Sequence, residues 1–161
     1  TYMEVIRGKT AMLFEASTHS AAALAEADET QSEALRTFGD QLGVAFQLVD
    51  DLLDYRGDAE ALGKNVGDDL AEGKPTLPLI YTMREGTPEQ AALVRKAIQK
   101  GGIEDLEQIR AAVEASGALD YTAQMARDYV ERAITCLDSL PPSEYRDALI
   151  ELSQFAVART H

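Results

Sequence analysis

The sequence has a single cysteine, no tryptophan and few prolines. The lone Cys136 excludes a disulfide within the chain and favours a reducing compartment such as the cytoplasm. Five prolines in 161 residues leave long stretches free of helix breakers. No apolar run approaches the roughly 20 residues that a membrane-spanning helix needs, so we predict no transmembrane segment. These absences argue against a disulfide-stabilised secreted module and against a protein built from membrane-spanning helices.

Positive charge is also scarce. Lys and Arg total 15 against 28 Asp and Glu, which gives a formal net charge of −13. Nucleic acids and anionic membrane surfaces need a basic face, so we expect neither as a partner. Apolar residues make up 45% of the chain, enough for a packed core in one domain over residues 1–161. Because the sequence opens on Thr1 without an initiator Met, we expect a piece of a longer protein.

Apolar residues recur at helical spacing through most of the chain. We therefore predict an all-α fold. The predicted helices cover residues 2–25, 31–56, 75–84, 88–101, 103–116, 119–140 and 144–158. The segment 57–73 is rich in glycine and charge and is predicted to be irregular.

The second predicted helix carries an acidic stripe. At about 100° per residue, Gln47, Asp50, Asp51 and Asp54 fall within a wedge of roughly 100°, and the rest of the helix is mostly apolar. From Gln41 to Asp54 there is no Lys, Arg or Glu, whereas an ordinary solvated face mixes charges. A solvated face remains the simpler alternative. However, Asp50 and Asp54 would repel each other without a cation between them, so the stripe favours a metal site.

Aspartates without histidine or cysteine are hard oxygen ligands, so the predicted ion is Mg²⁺. Since Mg²⁺ is usually held by few carboxylates together with substrate phosphates, the stripe also indicates a phosphorylated ligand. A di-iron bundle needs Glu-x-x-His pairs and is excluded, because the only histidines are His19 and His161. An EF-hand loop is excluded because Leu52 and Arg56 occupy two of its ligand positions.

A possible cation near the start of the chain lies in Gly8-Lys9-Thr10. This segment is similar to the end of a P-loop, but the required earlier glycine is Met3 and no strand precedes it. The P-loop interpretation is therefore rejected. Taken alone, the segment fits a solvated lysine and a packed threonine.

The segment 63–75 is a second possible source of cations. It contains three glycines, a second pair of aspartates, and the lysines Lys64 and Lys74. These lysines could balance a cluster of carboxylates and a diphosphate. The alternative is a flexible charged loop.

The order of these motifs resembles that of the trans-isoprenyl diphosphate synthases, and within them the bacterial long-chain octaprenyl or polyprenyl diphosphate synthases. The series runs Lys9-Thr10, then FQLVDDLLD from Phe46 to Asp54, then GKNVGDD at 63–69 and EGKPTLP at 72–78. The likeness covers nearly the whole chain. It implies an isoprenoid-synthase-type helical bundle around a deep cavity, of which this chain would form the C-terminal part.

The resemblance also implies roles for eight residues. The metal ligands would be Asp50, Asp51 and Asp54. The side chains that bind the allylic diphosphate and take part in catalysis would be Lys9, Thr10, Gln47 and Lys64. A further cation facing the phosphates would be Lys74.

The implied reaction is a Mg²⁺-dependent head-to-tail condensation. An allylic prenyl diphosphate ionises, isopentenyl diphosphate attacks the carbocation, and a proton is lost. The product would be a long-chain all-trans polyprenyl diphosphate of the C40 type, for quinone side chains. Family members are mostly homodimers, so we expect a homodimer of the full-length protein.

The sequence lacks the first Asp-rich motif of the family and the isopentenyl diphosphate pocket, so we expect the chain alone to be inactive. We also expect exposed apolar faces, such as Val44-Leu48-Leu52, where bundle partners are missing. The alternative function is a noncatalytic isoprenoid-synthase-like subunit that binds or regulates a partner enzyme. The intact motif Asp50-Asp51-Leu52-Leu53-Asp54 favours the enzyme.

Overall fold

A computed structural model describes residues 1–56, 67–100 and 105–158. Every regular element in these ranges is helical, which confirms the all-α prediction. The α-helices are α1 (Tyr2–Ile6), α2 (Met12–Leu24), α3 (Glu29–Arg56), α4 (Asp68–Ala71), α5 (Leu77–Glu85), α6 (Pro88–Lys100), α7 (Leu106–Ala115), α8 (Ala118–Cys136) and α9 (Glu144–Ala158). A π-helical turn (Arg7–Ala11) joins α1 to α2, and a 3₁₀ turn (Leu137–Ser139) follows α8.

Four differences from the predicted elements have a local cause or change the course of the chain. The π-helical turn interrupts the first predicted helix, and α4 lies in the segment that was predicted to be irregular. Helix α5 begins two residues later than predicted, because Thr76 has an extended backbone with ψ 167°. Helix α8 ends at Cys136 and not at residue 140, because Leu140 precedes a proline and is extended.

Helix α3 lies at the centre of the packing, with α2 and α8 against it. Its apolar residues Val44, Leu48 and Leu52 are fully buried. Helix α8 meets them with the small side chains of Ala123 and Ala126. The expectation that the Val44-Leu48-Leu52 face is exposed was therefore wrong, because α8 covers it.

The π-helical turn and α2 approach α3 closely. A Cβ atom on Gly43 would lie 2.6 Å from the Cα atom of Ala11, and one on Gly39 would lie 2.6 Å from the carbonyl oxygen of Phe14. Any larger residue at these positions would push the two backbones apart. The contact therefore places the π-helical turn directly against α3, the helix that carries the acidic stripe.

Large apolar side chains remain exposed at the two ends of the described chain. Val5 of α1 and Met12 and Leu13 of α2 are 62%, 63% and 72% exposed. On α9, Leu152 and Phe155 are also exposed. Within the described ranges, the length and hydropathy of the helices identify no candidate for a membrane span.

Candidate functional site

The acidic segment of α3 meets α1 and the π-helical turn through a chain of hydrogen bonds. Gln47 and Asp51 lie one turn apart and project from the same side of α3. Nε2 of Gln47 donates to Oδ1 of Asp51 over 2.9 Å, and the Thr10 hydroxyl donates to Oε1 of Gln47 over 2.7 Å. The Tyr2 phenol donates to Oδ2 of Asp51. Both carboxylate oxygens of Asp51 therefore accept a hydrogen bond.

Burial shifts the pKa values of Asp51 and Tyr2, at the end of this series of hydrogen bonds. Asp51 is only 2% exposed, and burial raises its pKa to about 6, against the lowering effect of the hydrogen bonds from Tyr2 and Gln47. Burial and the charge of Asp51 raise the pKa of Tyr2 far above its usual range, so the phenol keeps its proton and is the donor. A buried carboxylate of this kind is stabilised in its ionised form by a nearby cation.

A cavity of about 350 Å³ opens beside Asp51. Lys9 from the π-helical turn and Lys74 from the segment after α4 border it, together with Asp69. Nζ of Lys74 pairs with Glu72 and lies 3.3 Å from Oδ1 of Asp69, and these carboxylates raise the pKa of Lys74. Two ammonium groups and a buried carboxylate around one cavity suit a divalent cation together with a polyphosphate.

Asp50 lies on the other flank of α3. It borders a second cavity of about 210 Å³, whose walls include Phe14, Phe46 and Phe155. Asp54 follows one turn later and is half-buried. In the part of the chain that the structure describes, no three Asp, Glu, His or Cys side chains are grouped as a metal site. The three aspartates therefore offer oxygen ligands from two flanks of one helix, without forming a complete ligand set.

The structure brings together most of the side chains that the sequence singled out. Those that border the larger cavity are Lys9, Gln47, Asp51 and Lys74. Thr10 reaches this cavity through its hydrogen bond to Gln47. Asp50 and Asp54 lie on the same helix, away from the larger cavity, and Lys64 lies outside the described residues.

Two residues of the site were not singled out from the sequence. Tyr2 lies eight residues before Thr10 and outside the motifs that the sequence presents, so no signal pointed to it. Asp69 belongs to the second Asp pair, which was recognised. Spacing alone did not show that this residue would pair with Lys74.

The chain resembles known proteins in both sequence and structure. A family model described as polyprenyl synthetase matches residues 1–116. The chain is 49% identical over 161 residues to the octaprenyl diphosphate synthase of Haemophilus influenzae, and 50% identical over 159 residues to that of Escherichia coli. These alignments cover 99% and 98% of this chain and 49% of each relative. The chain thus spans about half the length of the curated relatives it matches.

Solved structures show the same likeness. A polyprenyl synthase from Caulobacter crescentus, crystallised in complex with calcium and isoprenyl diphosphate, matches with a TM-score of 0.92 at 44% identity, over 99% of this chain and 49% of that one. A decaprenyl diphosphate synthase from Rhodobacter capsulatus matches with a TM-score of 0.90 at 40% identity, over 99% of this chain and 50% of that one. The predicted isoprenoid-synthase-type bundle is therefore confirmed.

Proposed function

We propose a function from the premise that the chain belongs to the polyprenyl synthetase family. The chain forms the C-terminal, diphosphate-binding part of an all-trans polyprenyl diphosphate synthase, which joins an allylic prenyl diphosphate to isopentenyl diphosphate. The observation that carries this proposal is the convergence of Lys9, Lys74 and Asp51 on one cavity. The octaprenyl diphosphate synthases among the relatives support a long-chain product of the C40 type, suited to quinone side chains.

Mg²⁺ is the proposed metal, with Asp50, Asp51 and Asp54 as its ligands from this chain. The donor set fits, because it consists of carboxylate oxygens and includes the buried Asp51, whose pKa is raised to about 6. The calcium in the Caulobacter crescentus complex supports a divalent cation. When bound, the ion supplies positive charge that favours departure of the diphosphate.

The lysines are proposed to act on the same leaving group. As the allylic C–O bond breaks, its electron pair goes to the diphosphate, and the ammonium groups of Lys9 and Lys74 stabilise the negative charge that develops there. Lys64 is proposed as a third cation. The isopentenyl double bond then attacks the allylic carbocation, and loss of a proton completes the condensation.

Thr10 and Gln47 are proposed to position the substrate. Thr10 and Gln47 are hydrogen-bonded to each other, so each fixes the orientation of the other near the diphosphate and the first isoprene unit. A fixed polar group costs little reorganisation during the reaction, which is why preorganised donors are effective in catalysis.

We further propose that the full-length protein is a cytoplasmic homodimer. The exposed side chains of Val5, Met12 and Leu13 supply apolar surface that a second subunit or further chain would cover. The single cysteine supports a reducing compartment. Analytical ultracentrifugation of the full-length protein tests the dimer, and fractionation of cells that express it tests the location.

The proposed activity is tested with a chimera. The half of the Haemophilus influenzae relative that this chain does not match is joined to this chain, and the product is incubated with farnesyl diphosphate, isopentenyl diphosphate and Mg²⁺. We expect a long-chain polyprenyl product, identified by chromatography. The 161-residue chain alone and a Lys9→Met chimera are the controls, and both are expected to give little or no product.

Two results would contradict the proposal. Turnover by the isolated chain would show that its site is complete without the other half. A chimera that folds, binds a partner synthase and makes no product would instead support the noncatalytic subunit.

A further inference from the structure

We propose that Tyr2 is a positioning residue, whose phenol holds the carboxylate of Asp51 in the orientation in which it serves the metal and diphosphate site. This inference rests on the proposed function, since that function gives the orientation of Asp51 its purpose. It adds to the site a residue that none of the recognised motifs contains.

Two donors fix the plane of the Asp51 carboxylate. The Tyr2 phenol bonds Oδ2 and the Gln47 amide bonds Oδ1, so rotation about the Cβ–Cγ bond would break both contacts. With only one donor, the carboxylate could rotate about the remaining hydrogen bond. Hydrogen bonds of this kind orient metal ligands in proteins, and their loss weakens metal binding even though the donor never touches the metal.

Each donor is itself held in place. The Thr10 hydroxyl bonds Oε1 of Gln47, which leaves Nε2 of that amide facing Asp51. The Tyr2 ring packs against an apolar cluster that includes Ile6 and Leu48. The phenol oxygen is thus presented to Asp51 by a ring that has little freedom to move away.

The π-helical turn helps Tyr2 and Thr10 to face the same side, toward α3. Residues eight apart in a plain α-helix differ by about 80° around the axis. The π-helical turn has more residues per turn than an α-helix and so reduces that difference. Tyr2 and Thr10 both face α3, where their partners Asp51 and Gln47 lie one turn apart.

The Gly43 contact keeps this turn in register. The Cα atom of Ala11, the last residue of the turn, lies where a Cβ atom on Gly43 would be only 2.6 Å away. Tyr2 also borders the same cavity as Lys9 and Lys74. Tyr2 therefore borders the proposed ligand site and also packs into the apolar cluster beside it.

Tyr2→Phe tests the proposal because it removes only the hydroxyl. Mg²⁺ and inorganic pyrophosphate are titrated into the 161-residue chain by calorimetry, and thermal unfolding is followed with and without them. We expect the apparent affinity of Tyr2→Phe to fall about tenfold. The matched control is Tyr129→Phe, which removes a hydroxyl from another partly buried tyrosine on the same apolar cluster and should leave the affinity unchanged.

A double-mutant cycle with Asp51→Asn separates positioning from a general structural effect. If Tyr2 acts through Asp51, Tyr2→Phe weakens binding in the wild-type background and has no further effect in the Asp51→Asn background. An equal loss in both backgrounds would overturn the proposal, as would an unchanged affinity of Tyr2→Phe in the wild-type background.

The same measurements distinguish this proposal from the proposed function. If Mg²⁺ and pyrophosphate neither bind nor stabilise the wild-type chain, the metal and diphosphate site fails and the positioning role fails with it. If wild type and Tyr2→Phe respond equally, only the positioning role is overturned.

Discussion

The two flanks of α3 give its aspartates different surroundings. On one flank, Asp51 is buried, accepts two hydrogen bonds and borders a cavity with two lysines. On the other flank, Asp50 borders an apolar cavity whose wall residues Phe46 and Phe155 are 43% and 64% exposed. Both aspartates belong to one stripe on a helical wheel. The comparison shows that the neighbouring elements, α1 with the π-helical turn on one side and α9 on the other, give two aspartates of one stripe different surroundings.

The largest expected effect comes from the flank of α3 that carries Asp50, called the open flank because its cavity wall is exposed. Asp50→Ala in the chimera should lower turnover by at least about 100-fold, because it removes a proposed metal ligand from the site. The free energy of unfolding of the isolated chain should change by less than about 2 kcal/mol, since the side chain is only partly buried. Product formation and urea unfolding measure the two effects.

The matched control for that experiment is Asp128→Ala, which removes a carboxylate from the exposed face of α8. It should leave turnover unchanged. An unchanged rate in Asp50→Ala itself would remove Asp50 from the proposed metal site.

The next effect concerns the face of α3 that lies under α8. Leu48→Ala should lower the free energy of unfolding by about 2–5 kcal/mol, because Leu48 is fully buried and the change leaves a cavity. Leu24→Ala makes the same change at a side chain that is 87% exposed and should cost less than about 0.5 kcal/mol. Chemical denaturation measures both. Equal costs would mean that α8 does not cover α3 in solution.

A smaller effect is expected where Gly43 contacts the π-helical turn, on the flank of α3 that carries Asp51. Gly43→Ala should cost about 1–3 kcal/mol, because the new methyl group meets the backbone of Ala11. The control is Gly8→Ala in the π-helical turn itself, where nothing lies within 4 Å of the new Cβ atom. In a helical setting this change should be neutral or stabilise by up to about 1 kcal/mol. A neutral Gly43→Ala would contradict the close approach of the two backbones.

The smallest effect is expected at the rim of the apolar cavity. Phe155→Ala should change the free energy of unfolding by less than about 1 kcal/mol, because the ring is mostly exposed. A cost as large as that of Leu48→Ala would show that the open flank is packed in solution, and the contrast between the flanks would disappear.

Much of this arrangement follows from local sequence. The apolar spacing around Val44, Leu48 and Leu52 predicted a long helix, and its bounds agree with α3 to within two residues at the start. The motif order also selected Lys9, Gln47 and Lys74, which border one cavity. The helix prediction succeeded because helical periodicity is a property of neighbouring residues, whereas the roles of the three site residues stay predictions.

The remaining features depend on contacts distant in sequence. Tyr2 meets Asp51 across 49 positions, and only after the π-helical turn has changed the phase of the helix. Apolar spacing does not reveal such a turn. The cover over α3 was missed although Ala123 and Ala126 indicate a small-residue face on α8, since sequence alone does not say which helix that face meets.

The π-helical turn has a consequence for insertions and deletions in this part of the chain. Removing Gly8 would allow a plain α-helix from α1 into α2, because a π-helical turn holds one residue more than the α-helical path it replaces. Tyr2 and Thr10 would then be seven residues apart, which at about 100° per residue places them within about 20° of each other around the axis. The deletion should therefore leave Tyr2 facing Asp51. A deletion between Tyr2 and Ile6 would instead turn Tyr2 by roughly 100°, so the loss of a residue should be tolerated best at the π-helical turn.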